Sequence, residues 1–165
     1  MTENFKIAII GAGPAGISAA THAAELGISH ILLEASSHPA NTIRKYQKGK
    51  LVMAEPAILP LRSAVAFAAG AREHILATWE ASLEQHRVNL RVGAQVSQIS
   101  GERGRFEITL SSGQILQAEC VVLAIGLQGN IHKLGVVGQD LPMVQYQLDD
   151  PVAFEGETIV VVGGG

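Results

Sequence analysis

The sequence predicts an α/β fold in which a parallel β-sheet is accompanied by a small antiparallel β-meander. Two apolar runs, at residues 5–10 and 28–33, flank a helical pattern of small residues at 17–26. A glycine-rich turn lies between the first run and this helix, and Gly27 ends the helix. From residue 88 onward apolar and polar residues alternate, which is typical of half-buried strands. Strand, turn, helix and strand in this order indicate a parallel βαβ unit.

The glycine turn, Gly11-Ala-Gly-Pro-Ala-Gly16, is the most specific signal in the chain. Gly11 permits a sharp turn, Gly13 leaves room for a pyrophosphate, and Gly16 allows close packing of the helix. The N–H groups of the first helical turn, where Pro14 and Ala15 lie, face the phosphates, and the helix dipole favours their charge. The turn therefore predicts a Rossmann-like dinucleotide-binding unit. A glycine turn without a ligand is the alternative.

An acidic residue completes this pattern. Glu34 ends the second apolar run, 23 positions after Gly11, close to the spacing of about 20 that is typical of dinucleotide sites. A carboxylate there accepts hydrogen bonds from the ribose hydroxyls and repels a 2′-phosphate. The first site is therefore not expected to bind NADP.

Composition limits the class of protein. The chain has 165 residues, of which 47% are hydrophobic, and a net charge of −3. It is long enough for one domain with a core, and its charge gives no reason to expect a nucleic-acid partner. The single cysteine, Cys120, excludes an intrachain disulfide and fits a reducing compartment. Residues 7–24 carry no formal charge, but three glycines and a proline make them a poor membrane span. We therefore expect a cytoplasmic protein with no membrane partner.

Residues 36–61 have no clear periodicity and are predicted to be a loop. Pro39, Pro56 and Pro60 interrupt this segment, and loops of this length are often functional. The segment is also basic at Arg44, Lys45, Lys48 and Lys50. It is either a solvated loop or a loop that crosses a cofactor, with its cations near phosphate or an acidic partner.

A second helix is predicted at residues 71–86, since Ile75, Leu76, Trp79 and Leu83 recur at spacings of three and four. We expect Trp79 in the core. Short strands follow, with turns at 101–104 and 111–113, and apolar residues mark them at Val88, Leu90, Val92, Val96, Ile99, Phe106, Ile108, Leu110, Ile115 and Leu116. They predict the meander.

The apolar run at residues 120–125 predicts a separate buried parallel strand. Cys120, at its start, is expected to be buried and inert. The six histidines form no metal-binding pattern, and there is no nucleophile–base arrangement. We therefore expect no metal site and no catalytic side chain in this chain.

The last residues predict a second unit. Residues 158–165 read as a strand that enters a new glycine turn, and residues 139–157 before them are polar and linker-like. The predicted domains are thus 1–138, a linker at 139–157, and the start of a second dinucleotide unit at 158–165. We expect the chain to be the first part of a longer protein. A natural tail whose strand joins the sheet is the alternative.

Together these motifs resemble the FAD-binding region of the thioredoxin-reductase-like pyridine nucleotide-disulfide oxidoreductases, flavoproteins with two dinucleotide-binding domains. The resemblance covers nearly all of the chain. It implies that the first glycine motif holds FAD and the second holds NAD(P)H. It also implies that Asn41 and Thr42 lie beside the flavin, that Val96 contacts adenine through its backbone, and that Ala124 and Gly126 pass near the cofactor. Ile125 stands where the family has threonine.

The resemblance implies a flavoenzyme that passes reducing equivalents from NAD(P)H through FAD to a disulfide, an iron–sulfur protein or a small molecule. A homodimer is one expected assembly. Residues 35–60 contain no cysteine, which excludes the glutathione-reductase branch of the family. The family's Gly-Asp segment, which holds the flavin end of FAD, is absent, so the chain alone is expected to be inactive. A non-catalytic nucleotide-binding module and a flavin monooxygenase or oxidase are the alternatives.

Overall fold

A computed structural model describes residues 2–53, 62–65, 67–127, 132–148 and 150–163. The helices are α1 (Pro14–Glu25), α2 (Asn41–Arg44) and α3 (Arg72–Gln85), with a 3-10 turn at Pro151–Phe154. The strands are β1 (Glu3–Ile10), β2 (His30–Leu33), β3 (Leu51–Val52), β4 (Gly70–Ala71), β5 (Leu90–Arg91), β6 (Val96–Glu102), β7 (Arg105–Leu110) and β8 (Ile115–Leu123).

Six of these strands form one sheet in the order β5-β2-β1-β8-β7-β6. β1 pairs in parallel with β2 and β8, and β5 pairs in parallel with β2. β6, β7 and β8 pair antiparallel. The α/β class, with a parallel sheet and a meander, is confirmed. β3 and β4 form a separate two-stranded sheet.

The structure differs from the predicted strands in two respects. β8 is one continuous strand that belongs both to the meander and to the parallel sheet, whereas the sequence analysis divided it between Leu116 and Cys120. β5 belongs to the parallel sheet and not to the meander, because it pairs with β2. No turn residue interrupts 117–119, so the chain stays extended and pairs with different strands along its two edges.

Both long helices form where they were predicted. α1 begins at Pro14, which the sequence analysis placed in the first helical turn, because proline is well suited to the first helical position. It ends in a Schellman motif: Gly27, with φ +65°, donates its N–H to the carbonyl of Ala24, and Ile28 donates to Ala23. α3 buries Ile75, Leu76, Trp79 and Leu83, as predicted.

The sheet separates two apolar clusters. One lies between the sheet and helices α1 and α3, and includes Ile9, Ile17, Leu32 and Trp79. The other lies under the meander and includes Ala8, Ile31, Ile108 and Leu116. Burial on both faces explains why β1 and β2 are near-continuous apolar runs.

The prediction that Cys120 is buried is wrong. Cys120 is exposed, and Val122 is 39% exposed. Cys120 pairs with Ile7, but α1 packs over β1 and β2 rather than over β8. On its other edge β8 pairs with β7 only from Ile115 to Ala118. An apolar run therefore indicates a strand here but does not show that its neighbours cover it.

The predicted loop at 36–61 contains α2 and β3, while Pro56 and Pro60 lie outside the described residues. Residues 157–163 form no helix or strand, and Ile159, Val160, Val161 and Val162 are exposed. Gly164 and Gly165 of the predicted second turn also lie outside the description. In the described part, no helix is long and apolar enough to cross a membrane.

Candidate functional site

The glycine turn joins the carboxyl end of β1 to α1, and its first and last glycines are required by packing. Gly11 has φ +100°, and a Cβ there would lie 2.5 Å from the carbonyl oxygen of Ala124. A Cβ on Gly16 would lie 1.8 Å from the carbonyl oxygen of Gly11. Neither position tolerates a side chain without a shift of backbone, so both glycines maintain the turn itself.

Gly13 is different, because no described residue requires glycine there. Its φ and ψ are −77° and −175°, which any residue adopts. A Cβ at this position would meet no atom of the described part of the chain within 4 Å. The space in front of Gly13 is therefore open. It lies at the N-terminus of α1, which has no side-chain cap and no acidic residue in its first turn. An anion fits this position, since the free N–H groups and the helix dipole both favour it.

Glu34 is held against the same turn. Gly11 donates its N–H to the carbonyl of Leu33 at 2.7 Å, which brings the end of β2 beside the turn. The Glu34 carboxylate accepts the N–H of Ala12 at 2.9 Å through Oε2 and the N–H of Ser36 at 2.8 Å through Oε1. Each carboxylate oxygen has two acceptor positions. One position on each oxygen therefore remains for a ligand hydroxyl.

Helix α2 is also fixed to the turn, by a contact that the sequence analysis did not find. Ala40 donates its N–H to the carbonyl of Ala12 at 2.7 Å. Ala40 has φ +53°, is 3% exposed and immediately precedes α2. A non-glycine residue in this conformation is strained, and such strain is common at functional sites. The bond places Asn41 and Thr42, the first residues of α2, next to the glycine turn.

Of the last predicted residues, Ala124 lies along the other side of the turn. Ala124 donates its N–H to the carbonyl of Ile10 at 2.8 Å. A Cβ on Gly16 would lie 3.4 Å from the Ala124 Cβ, so Ala124 packs beside the turn. Gly126 has φ +66°, and a Cβ there would meet no atom within 4 Å. Gly126 therefore permits the chain to turn after β8, and its packing does not connect it to the glycine turn.

Val96 lines an open, mostly apolar cleft of about 240 Å³. The cleft is bounded by Ile10, Val96, Ser97, Gln98, Ile99, Leu123 and Ile125. Ile10 immediately precedes the glycine turn, so the cleft adjoins it. Pockets that enclose a whole ligand hold about 300–1,000 Å³. This cleft is smaller, and suits one ring of a larger ligand.

Among the described residues, no group of three or more His, Cys, Asp or Glu side chains could hold a metal ion. The arrangement combines three features at the carboxyl ends of the parallel strands: an anion position at Gly13, the fixed carboxylate of Glu34 and the apolar cleft beside Val96. These are the elements that bind a dinucleotide at the carboxyl ends of parallel strands.

Comparison with known proteins agrees with this class of site. The profile of the pyridine nucleotide-disulphide oxidoreductase family matches residues 8–165. The chain belongs to that family. It is 29% identical over 157 residues to a ferredoxin–NADP reductase of Ignicoccus hospitalis, and the match covers 95% of this chain and 48% of that protein. The chain thus spans about half the length of the curated relatives it matches.

Solved structures share the fold. The bacillithiol disulfide reductase Bdr (YpdA) from Bacillus cereus superposes with a TM-score of 0.70 at 22% identity, over 85% of this chain and 45% of that one. A cyclohexanone monooxygenase from Rhodococcus sp. Phi1 superposes with a TM-score of 0.68 at 20% identity, over 84% of this chain and 29% of that one. At these identities the likeness concerns the fold alone.

Proposed function

We propose that this chain forms the N-terminal, FAD-binding part of a flavoprotein that transfers reducing equivalents from NAD(P)H through FAD to an acceptor. The observation that carries the proposal is the open space at Gly13. Gly11 and Gly16 are required by the fold, but Gly13 is not. A glycine at an unstrained and unobstructed position is explained by a ligand that approaches the backbone there.

Each part of the site has a role in this proposal. The pyrophosphate would be held at Gly13, where it would accept hydrogen bonds from the N–H groups of Ala15 and Gly16 at the start of α1. The ribose hydroxyls donate to Glu34, whose position is already fixed by Ala12. When bound, FAD supplies the redox chemistry as an acceptor of hydride and a donor of electrons.

The remaining site residues contact the ends of the cofactor. The cleft beside Val96 would hold the adenine, and Asn41 and Thr42 would contact the flavin. Ala124 supports the turn, and Gly126 permits the chain to turn away from the cofactor. NAD(P)H would bind in a second unit that begins near residue 158, since FAD would occupy the first, where Glu34 also disfavours the 2′-phosphate of NADPH.

The relatives favour an iron–sulfur protein as the acceptor. The Ignicoccus hospitalis protein is a ferredoxin–NADP reductase, whereas the likeness to the bacillithiol disulfide reductase is one of fold. We propose a redox-protein acceptor on this ground, with a small molecule as the second candidate. We also propose the cytoplasm as the compartment, since Cys120 is the only cysteine, and a homodimer as the assembly.

The full-length protein tests this function. After purification it is expected to show flavin absorbance with about one FAD per chain, and to oxidise NAD(P)H with an artificial acceptor such as ferricyanide. A full-length protein that is folded, remains colourless after incubation with FAD and oxidises neither nicotinamide would contradict the proposal. A protein that binds FAD without turnover would support the non-catalytic module instead.

A further inference from the structure

A cluster of positive side chains follows the dinucleotide site along the chain. Residues 44–50, Arg-Lys-Tyr-Gln-Lys-Gly-Lys, hold four of the chain's 12 Lys and Arg residues and no acid. The net charge of the whole chain is −3. We call Lys45, Lys48 and Lys50 the lysine patch. Its charge is opposite to that of the molecule.

No ion pair with a described residue neutralises the charges of the lysine patch. Arg44, just before the patch, forms an ion pair with Glu80. All three lysines are exposed, and none of them forms an ion pair with any residue in the described part of the chain. The Lys50 ammonium lies 4.5 Å from the centre of the Tyr46 ring. That contact orients the side chain but leaves its charge in place.

The backbone that carries the patch is fixed to the start of α3. The Arg72 guanidinium donates to the carbonyls of Arg44 at 3.0 Å and Tyr46 at 2.5 Å. The Arg72 N–H donates to the carbonyl of Lys50 at 2.9 Å, and Gly49 donates its N–H to the Glu73 carboxylate at 3.3 Å. An ordered surface loses less conformational entropy when a partner binds.

The patch is also close to the dinucleotide site. The Ala40 N–H donates to the carbonyl of Ala12 in the glycine turn, and the basic segment begins four residues later. A macromolecule bound at the lysine patch therefore lies beside the end of the site where Asn41 and Thr42 are. Exposed lysines on separate turns suit a broad acidic surface better than a single small anion, which needs donors that converge on one point.

We propose that the lysine patch is the docking surface for an acidic electron-carrier protein. This inference rests on the proposed function and names the chemistry of its acceptor. Opposite charge attracts such a partner over distances set by ionic strength and raises its association rate. Transient redox complexes have small interfaces, so a few charges have a large effect on their formation.

The test compares two charge-matched variants of the full-length flavoprotein. K45E/K48E reverses two charges of the patch. R103E/R105E reverses two exposed charges on the hairpin between β6 and β7, and β6 is an edge strand of the six-stranded sheet. The probe is a [2Fe–2S] ferredoxin of strongly negative net charge, and a neutral benzoquinone serves as the second acceptor.

At about 0.01 M salt, where the Debye length is about 30 Å, we expect K45E/K48E to lower kcat/KM for ferredoxin by at least about tenfold. At about 1 M salt, where that length is about 3 Å, the difference from the wild type should disappear. The benzoquinone rate and FAD content should not change. R103E/R105E should stay within about twofold of the wild type, because its charges lie outside the interface.

Two results would overturn the docking surface. An equal loss of kcat/KM for ferredoxin in both variants would show that net charge alone causes the effect. A raised KM for NAD(P)H or a loss of FAD in K45E/K48E, with ferredoxin kinetics unchanged, would assign the lysines to a nucleotide phosphate. If the wild type reduces neither acceptor, the proposed function fails, but calorimetry of ferredoxin binding to the two variants still decides the docking surface.

Discussion

Gly13 and Gly16 lie three residues apart in one turn and are glycine for different reasons. A side chain on Gly16 would overlap the carbonyl of Gly11, whereas one on Gly13 would enter open space. The sequence motif contains both residues and cannot distinguish a glycine required by folding from one required by binding. The distinction depends on the atoms that surround each Cβ.

This difference predicts a large effect on stability at Gly16 and a small one at Gly13. Gly16→Ala should lower the free energy of unfolding by about 3 kcal/mol or more, because α1 must move away from the turn. Gly13→Ala should change it by less than about 1 kcal/mol, because its φ suits alanine but Gly13 is the N-cap of α1, where alanine is disfavoured. Thermal unfolding of the two variants measures this. Equal melting temperatures would show that the geometry of the turn is misassigned.

Glu34 predicts a loss of affinity when its charge is removed. Glutamine has only one acceptor oxygen. In Glu34→Gln the backbone N–H of either Ala12 or Ser36 therefore faces the NH₂ group, which is a donor, and loses its hydrogen bond. A hydrogen bond to a charged group contributes about 1.5–3 kcal/mol, against about 1 for a neutral one. We expect the affinity for ADP or FAD to fall about tenfold, which corresponds to about 1.4 kcal/mol. An unchanged dissociation constant in calorimetry would exclude Glu34 from the ribose site.

The two long helices end in the same hydrogen-bonded motif with different residues at the left-handed position. α1 uses Gly27, whereas α3 uses Arg87 with φ +51°. The Arg87 N–H donates to Glu84, and the Val88 N–H donates to Leu83. A residue with a Cβ in this conformation costs about 1–2 kcal/mol.

Arg87→Gly should therefore stabilise the fold by about 0.5–1 kcal/mol, after the entropy of glycine is subtracted. In a chain of this size each kcal/mol of added stability raises the melting temperature by roughly 2–4 °C, so the variant should melt at a higher temperature than the wild type. Gly27→Ala is the matched control and should lower it by a similar amount. A lower melting temperature in Arg87→Gly would mean that Arg87 makes a contact worth more than the strain.

Glu25 links α1 to the segment at 62–65 and makes this contact sensitive to acid. The Ala64 N–H donates to the carboxylate at 2.9 Å, and this bond is the main reason that the pKa of Glu25 lies below its ordinary value of 4.5. His22 and His86 lie 3.3 and 3.4 Å from the same carboxylate and lower its pKa further.

A lowered pKa in the folded state means that Glu25 contributes stability above about pH 4.5, and that this contribution disappears as the pH falls through the folded-state pKa. Glu25→Gln should therefore destabilise the chain at pH 7 and have a smaller effect near pH 3. Melting temperatures of wild type and variant at both pH values give the comparison. A difference in melting temperature between wild type and variant that is the same at both pH values would show that the charge of Glu25 is not involved.

The elements that the sequence predicted well are those with a local cause. The helix at 71–86 followed from apolar spacing, and the end of α1 followed from Gly27. The continuity of β8 and the exposure of Cys120 could not be predicted, because they depend on which strands and helices lie beside β8. The short elements α2 and β3 have too few residues to show a period.

The candidate site shows the same limit: its features with a local sequence pattern were predicted, and those that depend on contacts between distant segments were not. The glycines and Glu34 were predicted from their spacing, because proteins that bind dinucleotides share that spacing. The bond between Ala40 and Ala12 uses backbone atoms that every residue has, so no sequence signal marks it. The cleft beside Val96 forms between strands that lie far apart in sequence.

At the scale of the whole molecule, the described residues contain one half of the proposed cofactor site. The phosphate turn, Glu34 and the cleft lie within residues 10–125, and the chain spans about half the length of its relatives. Exposed apolar side chains at Leu123, Ile125 and Leu127 border the same edge of the sheet. We therefore expect this chain alone to bind the ADP portion of FAD weakly and not to oxidise NAD(P)H.

Calorimetric titration of ADP into residues 1–165 and into their Gly13→Val variant tests the central claim most directly. The wild-type chain should bind ADP with a dissociation constant of about 0.1–1 mM, equivalent to roughly −4 to −5.5 kcal/mol. The variant should show no binding while its melting temperature stays close to that of the wild type, because valine occupies only the space of the pyrophosphate. Equal affinities in the two chains, or a folded wild-type chain that does not bind ADP, would contradict the assignment of this turn as a dinucleotide site.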